Sequence, residues 1–336
     1  MKKSSIFFFL LGVVGIVFMI WKTDFSVIDW DGTVLKNMPI WLSAGIIIWA
    51  IIYLLHVLSY RIIMGEDKNK VPLGFLIKLT LSGFALNEVT PVGLIGGEPF
   101  RIVEMKPYLG SQKAVSTTLT FTVMHVSTHL LFLFTAALLY FIVGCPGGTV
   151  VTVFVAIVAI LLGAVLFVFY RYGGRPLVRP VLKFCSKLPF FGKKIAKLMQ
   201  EKNQTITEID DSMVEFHTRK KSFVQVAAIE YIDRLLEVGE FYVLLRLIGS
   251  DISYVYCMIG VAASALIGNL LFIIPLQVGT REASLAAVLS WASVDFSFGV
   301  TASLFARIRG LIYIVIGITA ILFGSKKKGE TPAKTE

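Results

Sequence analysis

Long apolar runs separated by short polar stretches dominate the chain. Runs at about 6–21, 40–60, 114–143, 149–170, 223–248 and 300–323 approach or exceed the roughly 20 residues that carry a helix across a bilayer. The pattern predicts an all-α polytopic membrane protein with about six full transmembrane helices. Two further apolar segments break the pattern. Residues 73–86 are too few to span and run into Asn87-Glu88-Val89-Thr90-Pro91-Val92-Gly93-Leu94-Ile95-Gly96-Gly97-Glu98-Pro99. Residues 253–292 are interrupted by Pro275-Leu276-Gln277-Val278-Gly279-Thr280-Arg281-Glu282. Pro91, Gly93, Gly96 and Gly97 in the first break, and Pro275 and Gly279 in the second, cannot continue an ordinary helix.

Loop charges give an orientation. Lys2, Lys3, Arg61, Lys68, Lys70 and the run Lys326-Lys327-Lys328 mark the cytoplasmic side, so both termini are expected there. Asp24, Asp29 and Asp31 suit the outside, as does the turn Gly144-Cys145-Pro146-Gly147-Gly148. The N-terminal run ends in Met19-Ile20-Trp21 without a small-x-small cleavage site, so it reads as a first span rather than a cleaved signal. The first broken segment enters from the inside and turns polar again at Arg101, Glu104, Lys106 and Lys113, which describes a re-entrant hairpin. Pro91 to Glu98 and Pro275 to Glu282 share one spacing, and the loop charges give the two units opposite orientations. The expectation is therefore a single membrane domain over 1–336 with two re-entrant broken-helix hairpins in an inverted repeat, about 40–143 and 223–323. Residues 253–274 are also long enough for a full span, which leaves two ordinary helices as the other reading of the second unit. The basic stretch 171–222 is expected to form amphipathic helices on the anionic inner leaflet, and a Lys-rich tail follows at 324–336.

Composition narrows the function classes. The chain of 336 residues is 56% hydrophobic and only 16% charged, which leaves no room for a large soluble domain. The net charge of +10 would suggest nucleic acid in a soluble protein, but here the basic residues lie between apolar runs, so no nucleic-acid partner is expected. Cys145, Cys185 and Cys257 have neither disulfide nor zinc spacing. There is no P-loop, GxSxG or HExxH motif, so no catalytic residue and no cofactor is expected.

Chemistry is expected where charge and irregular backbone sit at membrane depth. Unpaired backbone there survives only inside protein or beside water, so two breaks imply a polar cavity. A half-helix N-terminus suits an anion such as phosphate. Glu230, Asp233, Arg234 and Glu237 lie at i, i+3, i+4 and i+7, on one helix face. Facing lipid, each would cost about 2.5–3.5 kcal/mol, so the face either lines a cavity or locks the helix through ion pairs. Candidate substrate-binding residues are Thr90, Glu98, Arg101, Glu230, Asp233, Arg234, Glu237, Arg281 and Glu282. Glu98 and Glu282 match within the repeat and could carry a proton, pair with an arginine or cap the resumed helix. Arg307 and Arg309 enter the last apolar run, with at least one expected at the cavity. His125 and His129, one turn apart, are expected to make interhelical hydrogen bonds, and no metal site is expected.

The stretch from Asn87 to Gly93 and on through Gly97-Glu98-Pro99-Phe100-Arg101 resembles the signature of the lysylphosphatidylglycerol synthase transmembrane family, also called flippase-like or UPF0104 proteins. Ile274 to Glu282 is similar to that family's IPGGxGxxE stretch, with Gln277 and Arg281 departing from its usual small residues. The Asp233-Arg234 pair also looks familial. The resemblance implies a membrane region that moves aminoacylated phospholipid between leaflets of the bacterial inner membrane. In full-length synthases a cytoplasmic aminoacyltransferase follows, whereas here only a Lys-rich tail follows Phe323. The expected role is a stand-alone lipid flippase or transporter for an anionic or aminoacylated phospholipid, or a polyprenyl-phosphate lipid. A membrane-embedded lipid-modifying transferase, or a scaffold for a separately encoded one, is the alternative. Membrane phospholipid is the expected partner, with a second copy of the chain or a separate transferase left open.

Overall fold

The computed structural model describes residues 21, 26, 28–89, 96–172, 174–176, 178–187, 192–271, 277 and 279–324. The expected first span at 6–21 lies outside them except for Trp21, and so do Thr90, Pro91, Gly93, Pro275 and the Lys-rich tail. The described residues form helices and no strand: α1 (Leu35–Met64), α2 (Leu73–Val89), α3 (Gly97–Ile142), α4 (Gly148–Tyr172), α5 (Val178–Cys185), α6 (Gly192–Glu201), α7 (Asn203–Thr218), α8 (Lys220–Leu247), α9 (Tyr254–Leu270), α10 (Thr280–Leu289) and α11 (Phe296–Gly324). This is an all-α, multi-pass membrane protein. Among the described residues, Leu35–Asn69, Gly97–Ile142, Gly148–Arg171 and Phe296–Leu322 are long and apolar enough to cross a bilayer. The expected span at 223–248 is also helical, at 28 residues, but it carries the charged face.

Several boundaries differ from the hydrophobic pattern for local reasons. The polar stretch expected as an outer loop is helical from Trp30, because the Asp29 carboxylate accepts from the Gly32 amide at 2.9 Å and caps a turn that feeds α1. The helix expected at 114–143 starts at Gly97 and is interrupted at Gly110, whose φ of 76° departs from helical geometry three residues after Pro107. The two arms that run into the breaks, α2 and α9, are 17 residues each. That is about 25 Å of helix, short of the roughly 30 Å hydrocarbon core.

The chain divides into two compact units. One comprises residues 1–54, 73–100 and 236–336. In it α11 packs on α2 and on α10, and α10 packs on α9. Small residues permit these approaches. A Cβ added at Gly299 would lie 2.5 Å from the Ala286 Cα, and one at Gly317 would lie 2.5 Å from the Ala85 Cβ and 2.6 Å from the Leu81 carbonyl oxygen. The Ser82 hydroxyl donates to the Gly317 carbonyl at 3.0 Å. The Tyr313 ring packs tilted against Tyr53 at 5.0 Å, and its hydroxyl donates to the Ile46 carbonyl at 2.5 Å, which holds α11 against α1.

The other unit comprises 55–72 and 101–235. Tyr60 stacks on Phe121 at 4.1 Å, and the Tyr140 hydroxyl meets the Thr152 hydroxyl at 3.0 Å where α3 turns into α4. Helix α4 is strongly apolar up to Arg171 in its last turn and leaves Val150, Ile160 and Phe167 exposed, as a lipid-facing span requires. The basic stretch folds into α5, α6 and α7, packed on one another. Buried Asp210 on α7 accepts from the Val178 and Arg179 amides at 2.7 and 3.0 Å, closing the N-terminus of α5. His217 packs edge-on against Phe223, and burial lowers its pKa below the usual histidine value.

The glycine contacts generate a paired prediction. Gly299→Ala should lower thermal stability in detergent by about 1–3 kcal/mol, because the clash is with backbone that cannot move cheaply. Gly310→Ala on the same helix has nothing within 4 Å of its added Cβ and should leave stability unchanged or raise it. Equal melting temperatures for Gly299→Ala and the parent would remove the close-packing account of α10 and α11.

Candidate functional site

The first break is described at its two ends. Asn87, in the last turn of α2, accepts from the Gly97 amide through Oδ1 at 2.6 Å. Its Nδ2 donates to Glu98 Oε1 at 3.2 Å. One side chain thus ties both ends of the break, and Gly97 fits there because any Cβ would meet the Gly83 carbonyl oxygen at 2.1 Å. Helix α3 then begins with Pro99 near its start, where the missing N–H costs little.

The second break ends in a denser polar arrangement. Gln277 and Gly279 take positive φ, 51° and 83°, before α10 begins at Thr280. Glu282 is 1% exposed. Its Oε2 accepts from the Gly279 amide at 2.8 Å, so it caps α10, the most modest of the roles open to it from sequence. Its Oε1 pairs with the Arg307 guanidinium from α11, which also donates through Nη2 to the Gln277 carbonyl at 3.3 Å. Thr280 donates to the same carbonyl at 2.8 Å. Arg281 donates from Nε to Gln277 Oε1 and is only half-buried. Two guanidinium groups therefore lie at the start of a helix whose free N–H groups and dipole already favour an anion. Of Arg307 and Arg309 at least one is expected at a cavity, and nothing in the sequence shows that the partner of Arg307 is Glu282.

Arg309, two residues on, does something else. Its Nε and Nη2 each donate to the Glu240 carboxylate at 2.8 Å, and its guanidinium lies 4.0 Å over the Trp49 ring. Trp49 Nε1 donates to Glu240 Oε2 at 2.7 Å. Glu240 is 1% exposed. With these donors on both oxygens it is a closed lock among α1, α8 and α11, of the structural kind weighed for the charged helix.

In the second unit the charged face of α8 meets two histidines. Glu230 and Asp233 are buried, at 0% and 3% exposure. Glu230 Oε2 lies 2.8 Å from His125 Nδ1 on α3. His56 on α1 sets Nδ1 3.3 Å from Glu230 and Nε2 3.4 Å from Asp233 Oδ2. Arg234 Nη2 is 2.7 Å from His125 Nε2. A guanidinium can only donate, so His125 Nε2 is an acceptor and Nδ1 carries the ring proton toward Glu230. His125 thus makes the interhelical hydrogen bond expected of it. His129 is not part of this cluster. His56, Glu230, Asp233 and His125 offer donor atoms that all lie within 4.8 Å of one another, a set of the type that can hold a metal ion. His56 escaped sequence reading, although a histidine inside the apolar run 40–60 was the available signal. Of the other candidates, Arg101 is buried with its guanidinium 5.7 Å over Phe121, and Glu237 is half-buried.

The Glu240–Arg309 lock yields a prediction. Arg309→Ala or Glu240→Ala alone should cost about 3–5 kcal/mol, by stranding the other charge. The Glu240→Leu/Arg309→Met double variant should recover most of that loss in a thermal unfolding assay. Additive losses in the double variant would show that the two side chains act independently.

Comparison with known proteins agrees with this architecture. A family model described as the lysylphosphatidylglycerol synthase TM region matches residues 5–317. A UPF0104 membrane protein of Methanothermobacter thermautotrophicus is 24% identical, over 97% of this chain and 97% of that protein. No solved structure matches.

Proposed function

The chain belongs to the lysylphosphatidylglycerol synthase TM-region family, and on that premise we propose that it moves an anionic or aminoacylated phospholipid, or a polyprenyl-phosphate lipid, between leaflets, receiving the headgroup at the second break. The supporting observation is Arg281 beside the ion pair of buried Glu282 with half-buried Arg307 at the start of α10. Charged groups and irregular backbone inside apolar helices are retained where a polar substrate must enter. A headgroup phosphate needs donors, and Arg281 with the first N–H groups of α10 supplies them. Glu282 already serves Gly279 and Arg307, so its part is to hold the arginine and the helix start in position. The acyl tails stay in the hydrocarbon outside the protein.

Lys2, Lys3 and the lysines at 326–328 favour cytoplasmic termini, in a bacterial inner membrane. A separately encoded transferase that aminoacylates the lipid is a fitting partner. Glu98, at the end of the first break, is proposed to contribute to headgroup selection together with Thr90.

In proteoliposomes carrying fluorescent phosphatidylglycerol, the parent protein should accelerate leaflet exchange measured by quenching of the outer leaflet. Arg281→Gln should slow it by about 10- to 100-fold, the loss of one charged hydrogen bond. Glu201→Gln, on the surface of α6, should leave it unchanged. Parent-level exchange by a folded Arg281→Gln protein would remove the headgroup from this break.

A further inference from the structure

The cluster in the second unit has a composition that neither lipid transfer nor helix locking requires. It joins two imidazoles and two carboxylates from three helices: His56 of α1, His125 of α3, and Glu230 with Asp233 of α8. Glu230 and Asp233 are one helical turn apart, so both carboxylates project from one face. Metal sites in helical bundles are built this way, from an i, i+3 pair on one helix and single ligands on its neighbours. We propose that these four side chains bind one divalent first-row transition ion, of the zinc class, inside unit 2.

Three observations carry this. The first is spacing. Bonds of about 2.0–2.1 Å place the ligands of a tetrahedral ion roughly 3.3 Å apart. Glu230 Oε2 to His125 Nδ1 is 2.8 Å, and His56, which can give an ion only one of its ring nitrogens, lies 3.3 Å from Glu230 through Nδ1 or 3.4 Å from Asp233 Oδ2 through Nε2. All four donors lie within 4.8 Å of one another, so small rotations complete the shell. The second is charge. Two carboxylates at 0% and 3% exposure bring two negative charges, and with two neutral imidazoles a divalent ion balances them. The third is ligand chemistry. Imidazole and carboxylate together, without thiolate, suit Zn²⁺, Mn²⁺, Fe²⁺ or Co²⁺ rather than Cu⁺, and Ca²⁺ or Mg²⁺ would favour oxygen alone.

Arg234 sharpens the inference. Its Nη2 sits 2.7 Å from His125 Nε2, and its Nε sits 3.5 Å from Asp233 Oδ1. It supplies positive charge to two of the same side chains, and by donating to His125 Nε2 it holds the ring proton on Nδ1, where the ion would bind, so it competes with the ion. Removing it should therefore tighten metal binding, the opposite of what a ligand or a purely structural residue would do.

The test uses the full chain in detergent, purified through a tag without histidine and stripped with chelator. The chain has only four histidines, so background imidazole ligation is limited. Titration with Zn²⁺ alone should show one ion per chain, and Zn²⁺ should raise the unfolding temperature in a way that EDTA reverses. His56→Gln and His125→Gln should each weaken binding by about a hundredfold or more, beyond the 10- to 100-fold typical of outer-shell losses. Arg234→Gln should tighten it by about tenfold, through loss of a competing charge. Zinc-edge X-ray absorption of the parent protein gives a readout that needs no variant: two imidazoles and no sulfur are expected. Equal binding by the parent and both histidine variants would mean adventitious surface zinc only and would overturn the proposal. So would sulfur ligation, an absence of imidazole, or no binding by either the parent or Arg234→Gln. None of these readouts depends on lipid transfer, so the site stands or falls independently of the proposed function.

Discussion

Hydrocarbon offers no partner to a charge or to an unpaired backbone group, and the described structure follows from that constraint. Three buried acids among the described residues have their compensation close by. Glu240 takes two hydrogen bonds from Arg309 and one from Trp49. Glu282 takes the Gly279 amide and Arg307. Glu230 lies against two histidines. A single acid left without such contacts would cost more than one good packing contact returns, so these groups dictate which helices meet and at what level.

The same constraint explains the breaks. A helix that stops short must satisfy its loose ends. The first break does so with Asn87, which serves both the amide of Gly97 and the carboxylate of Glu98. The second does so with Glu282 and Thr280, which fold the chain from Gln277 back onto the start of α10. Glycine stands where the backbone takes positive φ or where another carbonyl approaches too closely for a Cβ. These are costly places to put irregular structure, and they concentrate arginine beside an open helix start. That arginine is what the proposed headgroup site rests on.

The three charged groupings differ in how closed they are. The Glu240–Arg309 pair has a bidentate fit and an aromatic lid, which leaves little for a ligand to gain. The Arg281–Glu282–Arg307 grouping is anchored on its acid and open on one arginine. The His56–His125–Glu230–Asp233 grouping has three buried members and is the richest in groups that bind cations. A structural lock and the proposed anion and cation sites call for different residues, and each grouping has its own kind.

By itself the sequence determined the class of protein, the approximate spans, the two Pro/Gly breaks and the helix carrying Glu230, Asp233, Arg234 and Glu237. These are local properties: span length follows from bilayer thickness, and a break follows from residues that cannot hold helical backbone. Glu282 was legible as a cap because its partner is three residues away. Only the tertiary structure decided which acid meets which base. Glu240 and Arg309 are 69 residues apart, and His56 and Glu230 are 174 apart. Such pairings depend on the rotation and register of each helix against its neighbours. In a helix that is apolar on nearly every side, the 3.6-residue period gives no sign of which face turns inward, so His56 stayed hidden in its run and Arg307 could not be told from Arg309.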